Sequence, residues 1–238
     1  MRIVVAGMPR CGTTMLIRSI AGLPEGGTFP TGPFFGVFNK AQEIPSAPFI
    51  KTHLPAPAKI ANDSISIFMF GNPMEAVLST MKNRWDTGHF RNCGWVHPYD
   101  PQILDRDDLG YEKMFDSWTS NNDYSVLAIR YETIWDHVGL IEKYIGARIS
   151  LPKARARKTT VSSQMRKHLT KTYGRLDKKV STAPDIFLCF QGNIIDLTSL
   201  EQDKLHEVIS MPCLLWHISI RLLRIRVKLW LSAKRVFE

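Results

Sequence analysis

Cysteine is scarce in this sequence, and long apolar runs are absent. The four cysteines are widely spaced and form no CxxC pair, so we expect reduced thiols rather than a disulfide framework. No run of about 18 uncharged apolar residues occurs, which argues against a membrane-spanning helix. The first strand pattern begins at Arg2 or Ile3 and leaves no room for a signal peptide. A cytoplasmic protein is therefore expected.

The sequence also lacks internal repeats, low-complexity tracts and a convincing linker. Its 238 residues are enough for one α/β domain and too few for two of ordinary size. We expect that domain over residues 1–210, followed by a basic amphipathic helical extension over residues 211–238. The formal net charge of +9 suits an anionic ligand, an acidic membrane surface or nucleic acid, although solubility alone would also explain it.

Short apolar runs alternate with helical patterns over the first 145 residues. The strand patterns are Ile3–Gly7, Pro48–Leu54, Ser64–Phe70 and Ser125–Arg130. Helical patterns follow near residues 13–23, 73–84, 111–121 and 131–145. This alternation predicts an α/β fold with a central parallel sheet flanked by helices on both faces. After Gly146 the pattern weakens, and the segment 154–179 is strongly basic.

The stretch AGMPRCGTTM connects the first strand to the first helix. Gly7 and Gly12 bound a loop whose backbone N–H groups, with the positive end of the helix dipole, make an anion site. In a phosphoryl-transfer P-loop, lysine follows the second glycine, and a serine or threonine then holds magnesium. Here Thr13 and Thr14 follow, and the cation of the loop is Arg10. The sequence therefore predicts a P-loop-like three-layer sandwich whose anion site lacks that lysine.

Four segments resemble, in the same order, motifs of sulfotransferases that use 3′-phosphoadenosine 5′-phosphosulfate (PAPS). PRCGTT, residues 9–14, resembles the 5′-phosphosulfate loop of that family, which reads PKSGTT or PRSGTT. PFIKTHLP (48–55) resembles its KTHLP segment, GNPMEAVLS (71–79) its RNPxDxxxS segment, and VLAIRYETI (126–134) its VLxxxYEDL segment. The resemblance covers a little over half of the chain, because the late RKGxxGDW loop of the family is not recognisable.

The resemblance implies PAPS as the sulfuryl donor, with no metal ion, and it implies a role for each matching residue. His53 matches the catalytic base, Lys51 matches the lysine that assists the transferring group, and Arg10 would share in neutralising its charge. The donor-binding residues so implied are Pro9, Arg10, Cys11, Gly12, Thr13, Thr14, Ser79 and Tyr131. A neutral imidazole suits proton removal from an acceptor hydroxyl or amine near neutral pH.

One position departs from the pattern of the family. Gly71 stands where the family has an arginine that grips the 3′-phosphate, whereas Ser79 matches the serine that grips it with the arginine. Loss of a bidentate guanidinium contact weakens phosphate binding unless another cation replaces it. Arg84 and the basic segment 154–179 are the candidates for that replacement. Two structural alternatives remain open. Ser79 could be an ordinary serine of a helix, and Tyr131 could be a packing residue at the sheet edge.

A small-molecule acceptor is expected as the partner, and nucleic acid is not. The aromatic and glycine-containing segments Phe29–Phe38 and Trp85–Tyr99 are expected to line the acceptor pocket, with core packing of the phenylalanines as the alternative. His89, Cys93 and His97 have ligand types that suit zinc, but no fourth ligand is evident, so no metal site is expected.

Two other functions fit the same sequence features. A P-loop small-molecule kinase and a non-catalytic basic binding module on the same fold are the alternatives to a sulfotransferase.

Residues 214–235 mix apolar and basic side chains at helical spacing. Such a helix suits docking on the domain or formation of a homodimer better than peripheral contact with an anionic membrane.

Overall fold

A mixed seven-stranded sheet forms the centre of the described part of the molecule. The computed structural model describes residues 1–39, 44–82, 90–91, 93–97, 99, 101–120, 123–154, 161–200, 204, 208 and 222–230. The strands are β1 Arg2–Gly7, β2 Phe35–Phe38, β3 Phe49–Thr52, β4 Ser64–Phe70, β5 Val126–Arg130, β6 Ile186–Phe190 and β7 Asn193–Asp196. Their order across the sheet is β2-β3-β1-β4-β5-β6-β7. The α/β class and the four predicted strands are confirmed.

The helices follow the strands much as the sequence predicts. They are α1 Thr13–Ile20, α2 Pro73–Lys82, α3 Tyr111–Thr119, α4 Val138–Ile145 and α5 Ser163–Thr182. The predicted helix over 131–145 is only partly correct, because Tyr131–His137 forms a 3₁₀-helix before α4 begins. This stretch contains Thr133, Ile134 and Trp135, which are weak helix formers, and the Trp135 indole is held by the Pro152 carbonyl at 2.7 Å.

The predicted parallel sheet is present, and one edge of it carries two antiparallel strands that were not predicted. The pairs from β2 to β5 are parallel, whereas β6 pairs with β5 and with β7 in antiparallel directions. β6 and β7 form a hairpin whose two-residue turn, Gln191 and Gly192, has φ angles of 49° and 79°. Positive φ at both turn positions matches the twist of a tight hairpin, and a tight hairpin can join only antiparallel strands.

Helices cover both faces of the sheet. Ile3, Val4, Val5 and Ala6 of β1 are each at most 2% exposed. Because successive side chains of a strand point to opposite faces, this pattern requires a layer of structure on each face. On one of them Trp118 of α3, itself fully buried, stacks on Phe68 of β4 with ring centres 6.1 Å apart. The result is consistent with a three-layer sandwich.

The parallel strands bring the candidate site residues to one edge of the sheet. Ala6 of β1 pairs with Thr52 of β3, and Gly7 pairs with Met69 of β4. Farther along the sheet, Phe70 of β4 pairs with Arg130 of β5. The residues that follow these strand ends therefore meet at the carboxyl edge, where open α/β sheets bind their ligands.

Residues 222–230 form a helix that docks on the domain. The Arg224 guanidinium donates to the carbonyl oxygens of Ile20 at 2.8 Å and Arg148 at 2.6 Å. Val227 is fully buried, and the Trp230 ring lies edge-on to Phe34 with centres 6.1 Å apart. Within the described ranges, no helix combines the length and the apolar character needed to cross a bilayer.

We expect Arg224→Met to lower the free energy of unfolding by about 1–3 kcal/mol, because it leaves the Ile20 and Arg148 carbonyls without their donor. Arg226→Met is the matched control: it removes the same charge from an exposed position of the same helix and should change stability by less than about 0.5 kcal/mol. Urea unfolding of the three proteins measures both values. Equal effects of the two substitutions would contradict docking through Arg224.

Candidate functional site

The loop between β1 and α1 is a tight turn with two left-handed residues. Arg10 has φ 68° and Gly12 has φ 80°, while the Cys11 amide donates to the Met8 carbonyl at 3.1 Å. The Gly12 carbonyl then accepts from the Leu16 amide at 3.0 Å and so begins α1. Successive turns of this kind point backbone N–H groups into a shared concavity, and the amino end of α1 adds its partial positive charge.

Both glycines of the loop are required by close packing. A Cβ atom on Gly12 would lie 2.7 Å from Cδ2 of the Tyr131 ring, in a backbone conformation that is itself strained for other residues. A Cβ atom on Gly7 would lie 2.6 Å from Cγ2 of Thr13 and 2.7 Å from the Met69 carbonyl oxygen. The glycine spacing in the sequence therefore reflects two separate steric limits, one at each end of the turn.

A cavity of about 240 Å³ opens at this loop. It is lined by Arg10, Gly12, Thr13, Thr14, Met15, Lys51, His53 and Tyr131. Three sequence-distant segments, at the ends of β1, β3 and β5, thus meet around one space. The three residues nominated for catalysis are all there, together with five of those nominated for donor binding, since Arg10 was nominated for both roles. Met15 was missed, although its place in the first turn of α1 could have suggested it.

His53 is fixed at the cavity by a buried hydrogen bond. Its Nδ1 lies 2.6 Å from the carbonyl oxygen of Gly7, and the residue is 3% exposed. A carbonyl oxygen only accepts hydrogen bonds, so the neutral ring carries its proton on Nδ1. The lone pair of the neutral imidazole is consequently on Nε2, which makes Nε2 the nitrogen that can take up a proton.

Lys51 supplies a cation to the loop from the neighbouring strand. Its Nζ donates to Oγ1 of Thr14 at 2.9 Å and lies 5.7 Å from the centre of the Phe29 ring. Burial lowers the pKa of Lys51, the nearby Cys93 raises it, and the positive charge of Arg10 lowers it. Thr13, which occupies the lysine position of a phosphoryl-transfer P-loop, is only 4% exposed.

Three more nominated residues, Ser79, Pro9 and Cys11, do not line the cavity. Ser79 on α2 contacts the loop, since Nε of Arg10 donates to its Oγ at 2.9 Å. Cys11 is fully buried, with its Sγ 3.9 Å from the Pro9 carbonyl oxygen, so Pro9 and Cys11 shape the loop without lining the cavity. Arg84 lies outside the described residues.

A second cavity, of about 390 Å³, adjoins the first. The two share Thr14, Met15 and Tyr131 as lining residues. Its wall also includes Trp135 and Lys153, neither of which the sequence analysis nominated. Together the two cavities reach the volume of about 300–1,000 Å³ that is usual for sites that enclose small ligands.

A larger cavity, of about 770 Å³, lies at the opposite edge of the sheet. Its wall includes Ser64 at the start of β4 and Ser125 just before β5, together with Tyr124 and Tyr144. None of the nominated residues lines it. Ligand sites of parallel sheets lie at the carboxyl ends of the strands, which is the edge where the smaller loop cavity opens.

The aromatic segments expected at an acceptor pocket are only partly buried in the core. Phe35 and Phe38 are core residues, 7% and 4% exposed, which is the packing alternative, whereas Phe29 lies against Lys51. The rings of Trp95 and His97 are 4.6 Å apart, and those of His97 and Tyr99 are 5.3 Å apart. His89 lies outside the described residues, as does most of 83–92.

Cys11, Cys93 and Cys189, the described cysteines, are buried and form no disulfide with one another. Burial raises the pKa of the Cys93 thiol to about 12, so it stays protonated at neutral pH. In the part of the chain that the structure describes, no three His, Cys, Asp or Glu side chains converge as a metal site would require.

Comparison with known proteins adds no relative. No protein-family model matches the chain, and no curated protein matches it at a significant level. The chemistry of the site therefore has to be inferred from its own residues.

We expect Gly12→Ala to destabilise the protein more than Gly26→Ala does. Both glycines have φ near 80°, so each alanine is strained by about 1–2 kcal/mol. Only at position 12 does the new Cβ also meet the Tyr131 ring, which should add about 1–3 kcal/mol of overpacking, since nothing lies within 4 Å at Gly26. Urea unfolding measures the difference, and equal losses would show that Tyr131 does not close over the loop.

Proposed function

We propose that this protein transfers a sulfuryl group from PAPS to a hydroxyl or amine of a small-molecule acceptor. The observation that supports this most is the meeting of the loop, Lys51 and His53 in a single cavity. An anion cradle, a cation and a general base are the three groups that such a transfer needs from a protein. Residues of the loop, Lys51 and His53 line one cavity of about 240 Å³, and this shared lining supports the proposal.

The donor end of the site suits a 5′-phosphate. The backbone amides of the turn and the amino end of α1 favour an anion, and Thr14 and Lys51 lie beside them. Gly12 leaves room for close approach of a ligand, because any side chain there would fill the space next to Tyr131. Lys51 would stabilise the charge that develops on the leaving phosphate oxygen.

The acceptor end of the site is organised by His53. When bound, the donor supplies the sulfuryl group, whose bond to the 5′-phosphate oxygen breaks as the acceptor oxygen or nitrogen bonds to sulfur. Nε2 of His53 takes the acceptor proton in this scheme, because Nδ1 is already protonated and bound to the Gly7 carbonyl. The carbonyl also stabilises the imidazolium that results, since it accepts a hydrogen bond from a charged donor.

The presence of Thr13 in the loop supports sulfuryl transfer over phosphoryl transfer. Enzymes that bind magnesium and a nucleoside triphosphate place a lysine at that position of the loop. The Thr13 side chain is buried and packs against Gly7. The cations that line the loop cavity are instead Arg10 and Lys51, and Lys51 reaches Thr14 from the adjacent strand. A purely binding role remains the second alternative, and turnover distinguishes it.

We expect His53→Asn to lower sulfuryl transfer by about 10²–10⁴-fold. The asparagine amide can still donate to the Gly7 carbonyl but offers no basic nitrogen. The assay incubates the protein with labelled PAPS and a metabolite extract and identifies sulfated products by mass. His137→Asn, at a histidine that lines neither the loop cavity nor the cavity that adjoins it, is the control and should retain most of the activity.

Binding measurements separate the rival functions in the same experiment. Isothermal titration should detect 3′,5′-diphosphoadenosine without magnesium, both for the parent and for His53→Asn. Transfer that survives in His53→Asn would remove His53 as the base. Binding without any transfer by the parent would indicate a binding module, and magnesium-dependent binding of ATP in its place would indicate a kinase.

The lowered pKa of Lys51 predicts an alkaline limit to activity. Burial is the main cause, so the ammonium loses its proton at a pH below the ordinary lysine value of 10.5. Transfer should therefore decline as pH rises through that lowered pKa. Lys51→Arg, which stays charged, should move the alkaline limb to higher pH even where its maximal rate is lower. An unchanged alkaline limb in Lys51→Arg would show that another group sets it.

A further inference from the structure

The helix over residues 222–230 docks on the domain with one side only. Arg224 is bound to backbone carbonyls of the domain, and Val227 is fully buried. The Trp230 ring packs so closely on Gly32 that a Cβ atom there would overlap it. These contacts fix the rotation of the helix, so its opposite side is held toward solvent.

The side turned to solvent carries three large apolar residues. Leu222, Ile225 and Leu229 are 56%, 54% and 66% exposed. A helix turns by about 100° per residue, so these three side chains lie within an arc of about 60°. We call them the apolar stripe. Apolar side chains that form a contiguous exposed patch mark interaction surfaces, whereas single ones are ordinary on a protein surface.

Exposed cations border the apolar stripe on both sides. By the same helical spacing, Arg226 lies about 40° from Leu222, and Lys228 lies about 60° from Ile225 on the opposite border. Both cations are exposed. Long cationic side chains can cover apolar surface with their stems while their charged ends stay in a polar layer. An apolar stripe between two cationic borders is typical of a helix that lies in the interface of a bilayer.

Charge favours a lipid surface over a second copy of the chain as the partner. The sequence between Val208 and Phe237 contains six cationic residues and no Asp or Glu. The cations are Arg221, Arg224, Arg226, Lys228, Lys234 and Arg235. A symmetric dimer through the stripe would bring this segment against its own copy, and neither copy would offer a carboxylate from it. Anionic lipid headgroups supply negative charge across a continuous surface.

We propose that the apolar stripe and its bordering cations bind the surface of an anionic phospholipid bilayer. The helix lies parallel to that surface, with the stripe at the boundary of the acyl chains and with Arg226 and Lys228 among the headgroups. It docks at the carboxyl end of α1, where Arg224 contacts the Ile20 carbonyl, whereas the loop cavity opens at the amino end of α1. The proposal is therefore independent of the proposed function.

Co-sedimentation with vesicles tests the proposal. The parent should bind vesicles of equal parts phosphatidylcholine and phosphatidylserine, and bind vesicles of phosphatidylcholine alone much more weakly. Ile225→Gln should lower the affinity for the mixed vesicles by about 5- to 20-fold, because it removes apolar area that the bilayer would cover. Ile194→Gln is the matched control: Ile194 of β7 is also 54% exposed, and its loss should leave vesicle binding as in the parent.

A second pair of variants tests the charge. Arg226→Gln should lower the affinity for the mixed vesicles by about 5-fold, the value expected for one cation near an anionic surface. Lys82→Gln, which removes one charge from the exposed end of α2, is its control and should bind as the parent does. Binding of the parent should also weaken as the salt concentration rises. The unfolding midpoint of each variant checks that it folds.

Each other outcome overturns the proposal. Equal losses in Ile225→Gln and Ile194→Gln would remove the apolar stripe as the contact, and equal binding to the two kinds of vesicle would remove the role of the cations. A parent that sediments with neither vesicle, but forms a dimer that Ile225→Gln dissociates in light scattering, would show that a second copy covers the stripe. Binding of 3′,5′-diphosphoadenosine, measured on the same variants, reports on the proposed function separately.

Discussion

The hydrogen bond between His53 and the Gly7 carbonyl is the contact on which the site depends. It joins the first residue after β3 to the last residue of β1, and the parallel pairing of Ala6 with Thr52 makes it possible. Because the bond is buried, breaking it would leave a carbonyl oxygen without its donor in the interior. One interaction thus connects the start of the loop to the His53 imidazole and fixes the tautomer of that ring.

Charge placement distinguishes this loop from that of a phosphoryl-transfer enzyme. The lysine that would follow the second glycine is replaced by the buried Thr13, and the cations approach from outside the helix. Lys51 comes from β3, and Arg10 comes from the turn itself and leans on Ser79. The positive side chains near the loop therefore come from β3 and from the turn rather than from the first turn of α1.

Local sequence patterns predicted the strands and helices that are determined by residues close together in the chain. The strand Ser64–Phe70 has the predicted bounds, since an apolar run closed by glycine and proline is a strong signal. The helix α5 was obscured by its basic surface, although Leu169 and Tyr173 repeat on its buried face. The contact of Arg10 with Ser79 spans 69 residues and depends on a left-handed backbone, so no local pattern could have predicted it.

A crystal structure with bound 3′,5′-diphosphoadenosine is the most direct test of the central claim. We expect the 5′-phosphate on the amides of Gly12, Thr13 and Thr14, within hydrogen-bonding distance of the Lys51 ammonium. We also expect Nε2 of His53 to face the side from which an acceptor would approach. A nucleotide bound outside the loop cavity, or an imidazole turned so that Nε2 points into the core, would contradict that claim.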